Sequence, residues 1–207
     1  MKQRELLESA IRLASDNPSQ EKLLRQFLLA NTAAESMKFD MYKYVAKDSI
    51  RLVMSCVYFH DGFKVASDAH ILICIKEDYP ADLEGKMVNK RGEMITEVGQ
   101  KYPNYTAVKP SGGHLRIKLN FDEVAALSKY ASTEKKVSGR PTYVRIGDNF
   151  FVFSLFFKLV TFARHIGAYH LLLYSQHGNL VVENGESWGI LMPLKSAGDD
   201  CPIVELS

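Results

Sequence analysis

Residues 63–75, FKVASDAHILICI, constrain the chain more than any other stretch. Val65, Ile71, Ile73 and Ile75 are β-branched, which suits a pleated, half-buried surface. Ser67, Asp68 and His70 interrupt the apolar run in its middle. The pattern predicts a strand, a polar kink and a second run of strand. Two readings stay open at the kink. It is a β-bulge whose Ser and Asp bond their own backbone, or it is the polar edge of a site completed from elsewhere in the chain.

The remaining sequence can support a core around this stretch. Its 207 residues suffice for one large or two small domains, and 46% are hydrophobic. The net charge of +2 argues against strong non-specific binding to nucleic acid but allows a local basic face. No apolar run is long enough to span a bilayer. The N-terminal MKQRELLESAIRL is amphipathic and carries acids, unlike a signal peptide. Cys56, Cys74 and Cys201 are odd in number and lack metal spacing, so free thiols in a reducing cytoplasm are expected.

Taken in order, residues 2–14 and 17–31 have helical spacing, with Leu6, Leu7, Ile11 and Leu13 in the first and Leu23, Leu24, Phe27 and Leu28 in the second. Asn17-Pro18 punctuates them as cap and first helical residue. A helical hairpin over 1–36 is therefore expected, closed by a small, polar linker. A short helix at 41–47 and a strand at 50–59 follow, then a turn at His60-Asp61-Gly62. Residues 77–85 read as a loop, and 86–89 with 93–97 as a second hairpin. KYPNYTAVKP, residues 101–110, has two prolines and must cross the structure as an ordered, extended segment.

Ser111-Gly112-Gly113 is the clearest internal joint. Beyond it the pattern gives a strand at 114–119 and a helix from Asn120 to about Ala131, with Glu123 completing a capping box. A loop at 132–139 and short strand segments at 142–146 and 150–153 come next. Ser154 is placed to cap a helix over 155–166 that Gly167 ends. Strands at 169–174, 180–183 and 188–194 complete the unit, and residues 196–207 read as a tail.

Three separated segments then show a likeness. Ser67-Asp68-Ala69-His70-Ile71-Leu72 resembles the Thr-Asp-Gly-His-Arg-Leu segment of the bacterial replicative sliding clamp, the beta subunit of the replicative polymerase. Residues 101–110 are similar to that family's Phe-Pro-Asp-Tyr segment, which ends in Val-x-Pro at the same spacing. Ile190-Leu191-Met192-Pro193-Leu194 is similar to its terminal Val-Val-Met-Pro-Met. The three occur in the family's order, and the resemblance covers about 39–195. It implies an α+β, DNA-clamp-like fold of antiparallel sheets with packed helices, here with the N-terminal helical hairpin added. The implied division is 1–36 hairpin, 37–110 first clamp-like half, 111–195 second clamp-like half and 196–207 tail. Ala69 stands at the family's Gly and Ile71 at its Arg. The chain is much shorter than a full clamp, and the stretch between Ile75 and Lys101 is too short for the family's elements there.

In that family the three segments meet at a hydrophobic cleft that takes short peptides from polymerases and other clamp partners. Carried over, the cleft is expected to be lined by Ser67, His70, Leu72, Pro103, Val108, Ile190, Met192 and Pro193. An apolar floor, a deformable methionine and rigid prolines suit such a task. The same residues could equally form a core where two sheets meet. The likeness further implies contact with duplex DNA, through Lys129, Lys135, Lys136, Lys158 and Arg164 on the two helices, and self-association. A solvated helix face is the plainer reading of Lys158 and Arg164. The expected function is that of a non-enzymatic, cytoplasmic replication accessory. The alternative is a clamp-derived interaction or decoy module without ring formation or DNA contact. No cofactor, metal or membrane partner is expected. The sequence has no nucleophile elbow, no phosphate-binding glycine loop and no paired-carboxylate spacing. His165 and His170 straddle a helix end, and Asp68 with His70 has no nucleophile between them.

Overall fold

The computed structural model describes residues 39–47, 51–95, 101–197 and 201–206. The chain divides into two compact units, Met1–Asp40 and Met41–Ser207, and the second is described below. The helical hairpin expected over 1–36 lies outside the described residues.

The unit's strands and helices are β1 (Cys56–His60), β2 (Phe63–Ser67), β3 (Ile71–Lys76), β4 (Met87–Asn89), β5 (Met94–Ile95), β6 (His114–Lys118), α1 (Phe121–Ser138), β7 (Tyr143–Ile146), β8 (Asn149–Val152), α2 (Phe153–Ile166), β9 (His170–Tyr174), β10 (Leu180–Asn184), β11 (Ser187–Leu191) and β12 (Ile203–Glu205). Nine of them make one antiparallel sheet in the order β5-β4-β1-β2-β3-β11-β10-β9-β6. A small sheet, β12-β7-β8, stands beside it. The large sheet runs unbroken from the first expected half into the second, because β3 pairs with β11.

The ILICI run of β3 is buried at every residue. A strand covered on both faces needs a continuous apolar run rather than an alternating one. Leu72 and Cys74 face a cluster with Val65, Val181, Trp188 and Ile190. Ile73 faces the other way, toward α2. There Gly189 sits opposite Ile73 in the ladder. A Cβ on Gly189 would lie 2.9 Å from a ring carbon of Phe162 and 3.1 Å from Ile73. Glycine at this position therefore sets how closely α2 settles on the sheet. Phe153, Phe156, Leu159, Val160, Phe162 and Ala163 form the buried stripe of α2.

Several local expectations need correction. The two strand runs expected in residues 63–75 are present, but the polar interruption between them is a tight hairpin turn rather than a bulge: β2 and β3 double back, with Ser67 opposite Leu72. The strand expected at 50–59 starts only at Cys56, since Leu52–Ser55 winds into a 3-10 turn. The 41–47 helix is a single such turn, Met41–Lys43. Of the hairpin expected over 86–97, the described residues form β4 and β5, which pair antiparallel, and residues 96–97 lie outside the described residues.

Helix α1 continues through the residues expected to form a loop. Thr133 and Ser138 donate their hydroxyls to the carbonyls of Lys129 and Glu134, so these side chains are satisfied without leaving the helix. Lys135 and Lys136 complement its C-terminal dipole, and Gly139 closes it in the left-handed region. Helix α2 begins before Ser154 and has no side-chain cap. The Phe153 N–H donates to the Thr142 carbonyl instead, at 2.9 Å. Strand β11 ends at Leu191 rather than at 194. The expected tail contributes β12, which pairs in parallel with β7, and Arg145 forms an ion pair with Glu205 across that ladder.

Gly189→Ala should destabilise the fold by about 1–3 kcal/mol, the usual cost of overfilling a packed core. Chemical denaturation of the two proteins measures it, and an unchanged midpoint would show that α2 does not press on the sheet here.

Candidate peptide-binding site

The β2–β3 turn is built by its own polar side chains. Asp68 Oδ1 accepts the N–H groups of His70 and Ile71, each at 3.0 Å. The Ser67 hydroxyl donates to the Ile71 carbonyl and accepts the Ala69 N–H. The Asp68 N–H donates to the Ile71 carbonyl at 3.1 Å. Ser and Asp thus satisfy the backbone locally, as in Asx- and ST-turns. The turn also forces Ala69 to a φ of 76°. That is the left-handed region, where a Cβ costs about 1–2 kcal/mol. The His70 carbonyl accepts the Met192 N–H at 2.9 Å, so the turn is stapled to the residue just beyond β11.

Segment 101–110 crosses this face of the sheet without strand or α-helix, containing only the 3-10 turn Tyr105–Val108. Side chains pin it. Tyr102 stacks on Tyr58 with centroids 4.9 Å apart. The Tyr105 hydroxyl lies 3.2 Å from His60 Nδ1. Lys109 pairs with Glu183 at 2.8 Å and lies over the Trp188 ring. Burial pushes the Tyr105 phenol up to about 12, and the nearby Cys74 adds to the shift. Burial also raises the Tyr102 phenol, whose hydroxyl is among the buried polar atoms without a hydrogen-bond partner. Both rings therefore remain neutral, and the wall they form stays apolar.

Between the turn, this segment and the end of β11 lies a cavity of about 510 Å³. Ser67, His70, Leu72, Pro103, Val108, Ile190 and Met192 line it. These come from all three of the separated stretches singled out in the sequence. Ile190 faces Leu72 directly across the β3–β11 ladder, which makes the floor. The His70 side chain is 65% exposed and stands at the mouth. Pro193 is not among the lining residues. Neighbours along an extended chain face opposite ways, and Met192 takes the cavity side. Just beyond, Leu194 bridges to Phe150 of β8.

Arg51, Met54, Ala69, Ile71, Tyr102, Asn104 and Tyr105 also line the cavity. The two tyrosines lay within the crossing segment and could have been chosen for their spacing around Pro103. Arg51 and Met54 gave no signal, because they reach the cavity through a 3-10 turn where a strand was expected.

The expected DNA-facing cations divide in two. Lys129, Lys135 and Lys136 are exposed on α1. On α2, Lys158 lies 3.7 Å from Asp68 Oδ2, and the Arg164 guanidinium lies over the Phe121 ring. Among the described residues no cluster of His, Cys, Asp and Glu could hold a metal ion, and no helix is long and apolar enough to cross a membrane.

Relieving Ala69 should be measurable: Ala69→Gly is expected to stabilise the fold by about 1 kcal/mol, net of the extra unfolded-state entropy. Thermal unfolding tests this, and a lower melting temperature would contradict the positive-φ turn.

No protein-family model matches the sequence, and no curated protein matches it. Solved structures do. The DNA polymerase III subunit beta from Pseudomonas aeruginosa superposes with a TM-score of 0.53 at 13% identity, over 74% of this chain and 61% of that one. A structure of the DNA polymerase sliding clamp from the same organism, with ligand, gives 0.53 at 13% identity, over 75% and 62%. The chain thus spans about three fifths of the length of the clamps it matches. At this identity the likeness is one of fold, and the fold of the chain is clamp-like.

Proposed function

We propose that the chain is a non-enzymatic, clamp-like binding module that captures a short apolar peptide of a replication protein in the cavity floored by Leu72 and Ile190. The observation that carries this is the convergence of three segments, far apart in sequence, on one cavity of about 510 Å³. That size lies within the usual range of ligand sites, and an apolar lining with few polar groups is what such sites need. Met54 and Met192 give it walls that can adapt to a partner's side chains. The Ser67 hydroxyl is spent on the turn, so His70 supplies the polar contact at the mouth.

Duplex DNA is a second partner in this proposal, favoured by the exposure of Lys129, Lys135 and Lys136 along α1. The cations of α2 favour the narrower role of a peptide-binding module, since Lys158 and Arg164 both meet groups of the protein itself.

The test is fluorescence anisotropy with a labelled peptide taken from the clamp-binding segment of a bacterial replicative polymerase. Leu72→Ala combined with Met192→Ala should weaken binding at least about tenfold, as expected when two anchor contacts of roughly 1 kcal/mol each are lost. Leu72 is buried and its truncation costs stability, so Met192→Lys serves as a second variant at a half-buried site. Unchanged affinity in folded Met192→Lys would overturn the assignment.

A further inference from the structure

Lys158 belongs to α2, yet its ammonium reaches the turn at the cavity mouth. Its Nζ lies 3.7 Å from Asp68 Oδ2, and the Asp68 side chain is only 16% exposed. The other oxygen of the same carboxylate holds the N–H groups of His70 and Ile71. His70 in turn receives the Met192 N–H on its carbonyl. A continuous chain of contacts therefore runs from α2 through Asp68 to two residues that line the cavity. Lys158 is itself held in place. The Tyr44 hydroxyl donates to its carbonyl at 2.9 Å, and the Tyr44 ring lies 5.9 Å beneath its ammonium.

This arrangement needs support from outside the turn. Ala69 sits at positive φ, so the turn stores strain that must be offset. The nearby ammonium favours the carboxylate orientation that aims its other oxygen at the two N–H groups. At 31% exposure the Lys158 side chain remains accessible to solvent anions.

We infer that Lys158 is a positioning residue for the cavity, and that it makes peptide affinity sensitive to anions. An anion that takes the ammonium releases Asp68, loosens the turn and misplaces His70 and Met192. The inference rests on the peptide-binding reading but has a readout of its own.

The experiment compares wild type, Lys158→Gln and Lys158→Arg. The first measurement is amide hydrogen exchange at His70 and Ile71, which needs no ligand. The second is the affinity for a labelled peptide without ionisable side chains, measured over a sodium chloride series and with added tripolyphosphate. Lys158→Gln should exchange faster at both amides. It should lose about two- to five-fold in affinity, the scale of one partly exposed ion pair. Its affinity should also respond less to salt and tripolyphosphate than that of wild type. Lys158→Arg should resemble wild type. Equal exchange in all three proteins, or an equal salt response in wild type and Lys158→Gln, would overturn the inference. If wild type fails to bind the peptide, the functional reading fails and the exchange comparison alone decides the role of Lys158.

Discussion

Leu72 and Ile190 face each other across the β3–β11 ladder, and one step along it Ile73 faces Gly189. These two adjacent pairs serve opposite sides of the sheet. The first floors the cavity, and the second receives Phe162 of α2. Because side chains alternate along a strand, neither side can change register without the other. A slip of one residue would drive Leu72 toward α2 and push Ile73 into the cavity. The same ladder joins the strands before the crossing segment to those after it, so the nine-stranded sheet depends on it.

The cavity is an outcome of several unlike devices around that ladder. A hairpin turn supplies one edge and is held by its own Ser and Asp. An irregular segment supplies the opposite wall, pinned by aromatic stacking and by the Lys109 contacts rather than by backbone pairing. The Met192 N–H, bonded to His70, closes the third side. Such a site is rigid at its floor and adaptable at its edges, where methionine and exposed histidine stand. That combination suits recognition of an extended peptide, in which anchors fill a pocket and the backbone meets polar groups at the rim.

Much of this was legible in the sequence, for identifiable reasons. The β-branched ILICI run announced a strand, though a half-buried one rather than the fully buried strand found, and the prolines of residues 101–110 announced a segment that cannot pair regularly. The three-segment likeness named seven of the residues that line the cavity. Other features were hidden. Ala69 occupies a positive-φ position where glycine would have signalled a tight turn, so the hairpin read as a kink. Serine and threonine at 132, 133 and 138 suggested a loop, yet hydroxyls at 133 and 138 fold back on helix carbonyls. Strand β12 has three residues and pairs with a strand some sixty positions away, a contact that local pattern cannot reveal. The reach of Lys158 to Asp68 is likewise a product of how α2 lies on the sheet, and a helix-face reading of its charge had no access to it.

The most direct test of the cavity's role is a nuclear magnetic resonance titration of protein carrying carbon-13 in its methionine methyl groups, with the polymerase-derived peptide as ligand. Met54 and Met192 line the cavity, Met87 is buried beside Met54, and Met94 is exposed on the edge strand β5 and does not line the cavity. Peptide binding in the cavity predicts saturable shifts at Met54 and Met192, with Met94 unmoved. Shifts led by Met94, or none at Met54 and Met192 at saturating peptide, would contradict it.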